Sequence, residues 1–214
     1  MAAENSIHGL LVFDKPGGIT SRDAVNRAAN WFPRRTRLGH TGTLDPLATG
    51  VLVLCVGHAT RLADYVQGMD KTYRTVAILG GVSDTDDADG TISIAMDPEP
   101  VSRGRIESLL PEFRGAIEQR PPAYSALKIG GRRAHDLARQ GGPVDLAARP
   151  VRIDAINVLH YEWPRLHLEV SCGKGTYIRS LVRDLGERLG CGAYVAELRR
   201  TKVGPFRAEA GLSL

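Results

Sequence analysis

The sequence has few cysteines and no long apolar segment. Three of its 214 residues are cysteines, Cys55, Cys172 and Cys191, and no two of them stand in a C-x-x-C pair. This spacing supports neither a disulfide framework nor a zinc site, and it favours a reducing compartment such as the cytoplasm. The longest apolar run, Val51 to Val56, is far shorter than the ~20 residues that cross a bilayer, and the N-terminal segment does not resemble a signal peptide. We therefore expect no association with a membrane.

Common nucleotide and metal motifs are also missing. The segment Gly173-Lys174-Gly175-Thr176 lacks the upstream glycine and the GK[ST] ending of a P-loop. The acidic loop Asp84 to Gly90 resembles an EF-hand, but the aligned position of the bidentate glutamate is Met96. There is no G-x-S-x-G, H-E-x-x-H or dinucleotide fingerprint. The sequence predicts no metal site and no cofactor.

Composition and charge are those of a globular, mildly basic protein. Hydrophobic residues make up 43% and charged residues 24%, and the net charge is +4. Residues 1–61 carry +3, residues 62–148 carry −3 and residues 149–214 carry +4, and 23 of the 28 basic residues are arginine. Arginine suits bidentate contacts with phosphate, although a GC-rich genome would also explain this usage. Charge alone therefore only suggests a nucleic acid as partner.

Local patterns predict alternating strands and helices. Strands are expected at Gly9 to Phe13, Gly50 to Val56, Thr72 to Leu79, Tyr124 to Lys128 and Tyr194 to Val203, and a hairpin at Val151 to Tyr161 with Leu166 to Ser171. Helices are expected after the Thr20-x-x-Asp23 capping box, after Ser102, and over Thr176 to Leu189. This order indicates an α+β fold with a mixed, largely antiparallel sheet flanked by helices and loops, in a single domain over residues 1–214.

The loop Gly39 to Gly50, with the sequence GHTGTLDPLATG, is the most distinctive segment. Three glycines and a proline constrain its backbone, and Asp45 is held extended because a proline follows it. Taken alone, Asp45 could form an ordinary Asx-turn and His40 could be a hydrogen-bonded loop histidine.

This loop closely resembles the catalytic signature of the TruB-type tRNA pseudouridine synthases and matches it at all twelve positions. Further blocks of that family occur in family order between about Gly9 and Phe206. They are Lys71-x-Tyr73-Arg74, Asp84-Thr85-x-Asp87-Ala88-Asp89-Gly90, Tyr124-Ser125-Ala126-Leu127-Lys128, Ala138-Arg139-Gln140-Gly141, Lys174-Gly175-Thr176-Tyr177-Ile178-Arg179 and Leu198-Arg199-Arg200.

The resemblance implies a pseudouridine synthase fold and an isomerase, a tRNA pseudouridine-55 synthase that converts one uridine in the T loop of tRNA to pseudouridine. It implies that Asp45 is the nucleophile and that Arg179 offsets the cost of keeping this carboxylate ionised in a dry pocket. It also implies that Tyr73 stacks on the extruded uracil; a role in proton removal is less secure, because the pKa of tyrosine is ordinarily about 10.

The remaining site residues implied by the resemblance contact the RNA. His40 would fill the space left by the flipped base, and Tyr177 and Leu198 would line the base pocket. A flexible excursion over about residues 125–142 would close over the T arm. The candidate contacts with the RNA backbone are Arg34, Arg35, Arg37, Lys128, Arg132 and Arg133.

The resemblance leaves the wider biology as expectations. The chain stops soon after Phe206, so we expect no C-terminal RNA-binding domain of the PUA type. We also expect a monomer without an obligatory protein partner. An alternative function is a tRNA-binding or tRNA-folding chaperone whose catalysis is incidental or lost. The catalytic subunit of guide-RNA-dependent pseudouridylation complexes shares the loop, but it would be expected to have an RNA-binding domain and partner surfaces.

Overall fold

The computed structural model describes residues 7–94, 98–125, 127–140 and 144–213, without the side chains of Lys128, Arg133 and Arg139. The chain forms two compact units, one of Met1–Arg74 with Leu198–Leu214 and one of Thr75–Glu197. We call them unit 1 and unit 2. The expectation of one catalytic domain over residues 1–214 stays a prediction.

Over the residues that the structure describes, unit 1 has seven strands or parts of strands and two helices. The strands are β1 (Gly9–Lys15), β2 (Leu38–His40), β3 (Thr49–Val56), the first part of β4 (Lys71–Leu79), the last part of β12 (Ala193–Val203), β13 (Phe206–Arg207) and β14 (Leu212–Ser213). The helices are α1 (Ser21–Ala29) and α2 (Ala63–Gly68), and 3₁₀ turns occupy Gly57–Leu62 and Ala208–Ala210.

The sheet of unit 1 is built around the apolar strand β3. Its hydrogen-bonded order is β14-β1-β3-β12-β4, with β2 also on β3 and β13 on β12. The strand β1 runs antiparallel to β3, while β12 runs parallel to β3 with Arg200 opposite Gly50. Gly50 has φ +100° and a Cβ there would clash with the Arg200 carbonyl, so only glycine allows the two strands to approach this closely. Buried Val51, Val53 and Val203 form part of the core.

Unit 2 contains the remaining elements. Its strands are the rest of β4 and β12 with β5 (Gly81–Ser83), β6 (Ile92–Ile94), β7 (Gly115–Gln119), β8 (Lys128–Ile129), β9 (Arg132–Arg133), β10 (Arg149–Glu162) and β11 (Arg165–Cys172). Its helices are α3 (Arg103–Leu109), α4 (Ala134–Arg139) and α5 (Ile178–Leu189), and a 3₁₀ turn occupies Leu110–Phe113.

The sheet of unit 2 follows the order β12-β4-β11-β10-β7, and the pairs β10–β11 and β10–β7 are antiparallel. On β11, Leu166, Leu168 and Val170 are fully buried and alternate with less buried residues. The predicted hairpin, helices and α+β class with a mixed, largely antiparallel sheet are confirmed. No helix in the described part of the chain is long and apolar enough to cross a membrane.

Several sequence-based boundaries differ from the structure, most of them by one or two residues, and two of the differences have a clear physical reason. The predicted strand from Tyr124 to Lys128 is wrong at its start, because Tyr124 and Ser125 lie in a bend; Ala126 is outside the described residues, and strand β8 begins at Lys128. The Ser125 carbonyl accepts from the backbone nitrogen of His135, which occupies an acceptor that a strand would use for its ladder. The predicted helix at Thr176 begins two residues later, at Ile178, because Tyr177 is its N-cap.

Candidate active site

Asp45 lies half-buried in the loop between β2 and β3 of unit 1, and the backbone on both sides of it is tightly held. The Ser21 hydroxyl accepts from the Leu44 nitrogen at 2.8 Å and donates to the Leu44 oxygen at 3.0 Å. The Asp45 carbonyl itself accepts from the Ala48 nitrogen at 3.1 Å. One hydroxyl on the first residue of α1 therefore sets the conformation of the residue that precedes the carboxylate.

Buried basic side chains hold the two ends of this loop. The Arg200 guanidinium donates to the carbonyls of Gly42 (3.1 Å) and Thr43 (3.4 Å) and, from Nε, to that of Val51 (2.8 Å). Lys15 is fully buried, and its ammonium donates to the Pro46 carbonyl at 3.3 Å. Every residue from 42 to 46 thus has a backbone group in a hydrogen bond, and the loop is pre-organised around Asp45.

His40, the last residue of β2, is placed beside this loop. Its Nδ1 accepts a long hydrogen bond of 3.4 Å from the Gly42 nitrogen. Burial lowers the pKa of His40, and the positive charges of Arg22 and Arg200 lower it further. The neutral imidazole is therefore favoured near pH 7.

Two further predicted pocket residues are buried in unit 1. Tyr73 on β4 and Leu198 on β12 are each 8% exposed. A buried tyrosine and a buried leucine offer flat and apolar surfaces on which a base can stack. Arg34, Arg35 and Arg37 precede β2 and are all exposed, and Arg35 adopts a left-handed conformation with φ +74°.

Arg179, predicted to be catalytic together with Asp45 and Tyr73, lies in unit 2 on the first turn of α5 and is 4% exposed. Its guanidinium donates to the carbonyls of Thr85 (2.7 Å) and Tyr124 (2.9 Å) and forms an ion pair with Asp87 at 3.3 Å. Asp87 was not predicted as a partner, although it belongs to the acidic block of the family pattern. These contacts hold the guanidinium in one orientation.

The acidic turn at residues 84–90, which raised the question of calcium, uses its carboxylates for internal contacts. Asp87 accepts from the Thr85 hydroxyl at 2.6 Å, and Asp84 accepts from the Thr91 nitrogen at 2.8 Å. Asp86 pairs with Arg183 of α5 at 2.8 Å; burial raises the pKa of Asp86, and this arginine opposes the shift. Within the described residues, no cluster of three or more His, Cys, Asp or Glu side chains could hold a metal ion.

Tyr177 is fixed by a side chain that the sequence did not identify. Gln119 is 1% exposed; its Oε1 accepts from the Tyr177 nitrogen at 2.8 Å and its Nε2 donates to the Tyr177 oxygen at 3.1 Å. The Arg149 guanidinium lies over the Tyr177 ring, 5.2 Å from its centre, and donates to the Gly175 carbonyl at 3.0 Å. The backbone and the ring of Tyr177 are both held.

The excursion predicted at residues 125–142 contains the short pair β8–β9 and helix α4. Exposed Arg132 donates to Gln140 at 2.6 Å. The side chains of the predicted contact residues Lys128 and Arg133 are outside the described part of the structure. Ala126 and residues 141–142 of the predicted excursion are outside it altogether. The flexibility of this segment stays a prediction.

The predicted site residues are thus divided between the two units. Unit 1 contains Asp45, His40, Tyr73, Leu198 and the arginines Arg34, Arg35 and Arg37, which we call the Arg34–Arg37 cluster. Unit 2 contains Arg179, Tyr177 and the excursion. Within unit 1 the arrangement presents a carboxylate on a held loop. Such a group can act as a nucleophile or as a general base.

Family models match the chain along most of its length. The model described as "TruB family pseudouridylate synthase (N terminal domain)" matches residues 30–178, and the model described as "tRNA pseudouridylate synthase B C-terminal domain" matches residues 179–214.

Two curated relatives carry the name tRNA pseudouridine synthase B. The one from Pseudomonas putida is 51% identical over 201 residues, which is 94% of this chain and 65% of the relative. The one from Xanthomonas oryzae pv. oryzae is 49% identical over 212 residues, 99% of this chain and 68% of the relative. The chain therefore spans about two thirds of the length of these relatives.

Solved structures agree in fold. A chain in the crystal structure of a Cbf5–Nop10–Gar1 complex superposes with a TM-score of 0.74 at 31% identity, over 96% of this chain and 52% of that one. A structure of an H/ACA RNP bound to a substrate RNA containing 2'-deoxyuridine gives a TM-score of 0.70 at 29% identity, over 96% of this chain and 50% of that one. Together with the family models and the relatives, these likenesses establish that the chain belongs to the TruB family of pseudouridylate synthases.

Proposed function

We propose that this chain is a tRNA pseudouridine-55 synthase that isomerises a uridine in the T loop of tRNA. The support is its membership of the TruB family, the name of the relatives that are about half identical to it, and the match of all twelve residues of the Gly39–Gly50 loop. The observation that carries the proposal is the held backbone of residues 42–46, which presents Asp45 in one conformation.

The proposed reaction needs a nucleophile and no external reagent. Asp45 forms a transient covalent bond with the nucleoside, the N1–C1′ bond breaks, and the uracil turns while it is bound. A C5–C1′ bond then forms, the proton on C5 leaves, N1 gains a proton and the carboxylate is released. Dividing the exchange into steps through a covalent intermediate lowers each barrier.

We propose that Arg179 supports the ionised state of Asp45. Desolvation in a pocket that excludes water favours the neutral carboxylic acid, and a guanidinium offsets that cost. The support is the family resemblance and the burial and rigid placement of Arg179. Its pairing with Asp87 does not remove this role, because a guanidinium has five N–H donors and can serve more than one acceptor.

The base must leave its stack before it reaches the pocket. Tyr73 stacks on the extruded uracil, Tyr177 and Leu198 line the pocket, and His40 takes the place of the base in the RNA. Burial of Tyr73 and Leu198 and the neutral state favoured for His40 support these roles. Exposed Arg34, Arg35 and Arg37, with Lys128, Arg132 and Arg133 of the excursion, contact phosphates of the T arm. We propose that the enzyme acts as a monomer in the cytoplasm.

The test is tritium release from tRNA labelled at uracil C5, with wild type, Asp45→Asn and Asp64→Asn. Asp64 is an exposed carboxylate of unit 1 outside the site, so its variant controls for the substitution itself. Wild type and Asp64→Asn release tritium, while Asp45→Asn loses more than about a thousandfold in rate, since its amide is not a nucleophile.

The same assay separates the enzyme from a chaperone. Normal release by a folded Asp45→Asn protein would disprove the nucleophile assignment. A wild type that binds and refolds tRNA without releasing tritium would favour the chaperone.

A further inference from the structure

Arg200 on β12 is a buried arginine whose described acceptors are all backbone carbonyls. It is 4% exposed, and its three donor nitrogens reach Gly42, Thr43 and Val51. The planar guanidinium joins Val51 of β3 to the loop that carries Asp45. A lysine also has three N–H donors, but they share one nitrogen, so a lysine does not reproduce the spacing of three donor nitrogens across a planar guanidinium.

The charge of Arg200 is not neutralised within the part of the chain that the structure describes. Residues 7–94, 98–125, 127–140 and 144–213 provide no carboxylate that forms an ion pair with it. Its neighbour Arg199 differs: it is 40% exposed and binds both carboxylate oxygens of Asp14 at 2.9 and 2.7 Å. The two adjacent arginines thus have opposite environments.

A buried charge without a counter-ion opposes folding, whereas neutral donors could bind the same carbonyls at lower cost. The positive charge therefore calls for a function besides holding the backbone. The guanidinium contacts the loop of Asp45, because the carbonyls of residues 42 and 43 accept its hydrogen bonds. The positive charge also acts on His40 of this loop: burial is the main cause that lowers the pKa of His40, and the charges of Arg22 and Arg200 lower it further.

We propose that Arg200 is a positioning residue for the isomerisation: it sets the Gly42–Thr43 backbone and supplies positive potential to the loop of the Asp45 nucleophile. This role rests on the proposed function. In this role Arg200 acts through the loop backbone that it binds, not as a catalytic group.

The test compares Arg200→Gln, Arg200→Lys and Arg199→Gln with wild type in the full chain. Tritium release from tRNA gives kcat and KM over a range of pH, filter binding gives the tRNA Kd, and circular dichroism gives the folded fraction. Arg199→Gln is the matched control, since it removes one arginine from the adjacent position of the same strand.

We expect Arg200→Gln to lower kcat per folded molecule by about 10- to 100-fold, the scale of a small misplacement of a reacting group, while the tRNA Kd stays within about threefold. Without the positive charge, ionisation of Asp45 becomes less favourable, so the acidic limb of the pH profile of kcat moves to higher pH in Arg200→Gln. Arg200→Lys keeps the charge, so it returns the limb to the wild-type position but restores only part of kcat. Arg199→Gln retains both. If Arg200→Gln does not fold, the separation of limb position from kcat in Arg200→Lys decides the matter.

Three results would overturn the inference: activity of the Arg200 variants that falls only with the folded fraction, a loss of tRNA binding equal to the loss of kcat, or the same loss in Arg199→Gln. Each of these requires an active wild type. A wild type that releases no tritium would refute the proposed function itself, and the positioning role with it.

Discussion

Single polar side chains from other elements hold the backbone of the Asp45 loop. Ser21 satisfies both backbone groups of Leu44, and Arg200 satisfies two further carbonyls. A loop that buries backbone donors and acceptors needs such partners, because an unsatisfied group costs about 1–3 kcal/mol. Loss of either side chain should therefore change the backbone conformation of the loop.

His40 gives a prediction for pH at this scale. Its pKa lies below the usual 6.5, with burial as the main cause. His40 therefore binds a proton more readily in the unfolded chain than in the folded one. The stability that comes from this difference is fully present above pH 6.5, and it is lost as pH falls through the lowered pKa. We expect the free energy of unfolding, measured with urea, to fall more between about pH 7.5 and about pH 5 in wild type than in His40→Asn.

The control for this measurement is His160→Asn. His160 is a 64% exposed histidine on β10, outside the loop of Asp45, so its variant controls for the substitution itself. Identical pH dependence in wild type and His40→Asn would show that His40 does not contribute to it.

The sequence predicts which residues carry the chemistry, but it does not indicate the side chains that hold them. Asp45 and Arg179 stand in contiguous motifs, so a resemblance finds them. Their supports are distant in sequence: Ser21 is 23 positions from Leu44, and Gln119 is 58 positions from Tyr177. Such pairs arise only when the chain folds, and no local pattern indicates them.

At the scale of elements, α5 is positioned by contacts on two sides of its first turns. Arg179 and Arg183, one helical turn apart, bind the acidic turn through Asp87 and Asp86. Gln119, at the end of β7, binds both backbone groups of the N-cap Tyr177. The helix start is therefore set by tertiary contacts, since Tyr177 makes no capping hydrogen bond with its own side chain.

Gln119→Ala tests this arrangement. The substitution leaves the Tyr177 nitrogen and oxygen without the amide, and we expect a loss of about 1–3 kcal/mol in the free energy of unfolding. Urea unfolding measures it, with Glu118→Ala as the control, because Glu118 is the exposed neighbour on the same strand. Equal stability of Gln119→Ala and Glu118→Ala would contradict a structural role for the amide.

Periodicity predicted the long elements well, because their stability comes from one buried face. The alternation on β11 and the apolar stripe of α5 are both visible in the sequence. The segment from Tyr124 failed because its carbonyls are bound by Arg179 and His135, which come from distant or later elements. Strand propensity alone does not include such competition for backbone acceptors.

At the scale of the molecule, charge divides between the units more sharply than along the chain. Unit 1 has thirteen basic and seven acidic residues, a net +6, and unit 2 has fifteen basic and seventeen acidic residues, a net −2. The modest overall charge of +4 hides this difference. An RNA backbone should therefore be attracted mainly to unit 1, which also carries the loop of Asp45.

The salt dependence of tRNA binding tests which arginines contact phosphate. Replacing Arg34, Arg35 and Arg37 together by glutamine should weaken binding. It should also reduce the slope of log Kd against log salt concentration by about one for each contact that is lost, since fewer counterions are then released. Filter binding over a series of salt concentrations measures the slope.

The matched variant replaces three exposed arginines of unit 2 and so changes the net charge equally. Arg103, Arg165 and Arg188 are 51–58% exposed and pair with Glu107, Glu197 and Glu112. Because these ion pairs already compensate their charges and they lie outside the proposed contacts, glutamine here should leave the slope near that of wild type. If both triple variants flatten the slope equally, net charge alone governs binding, and the assignment of phosphate contacts to the Arg34–Arg37 cluster is wrong.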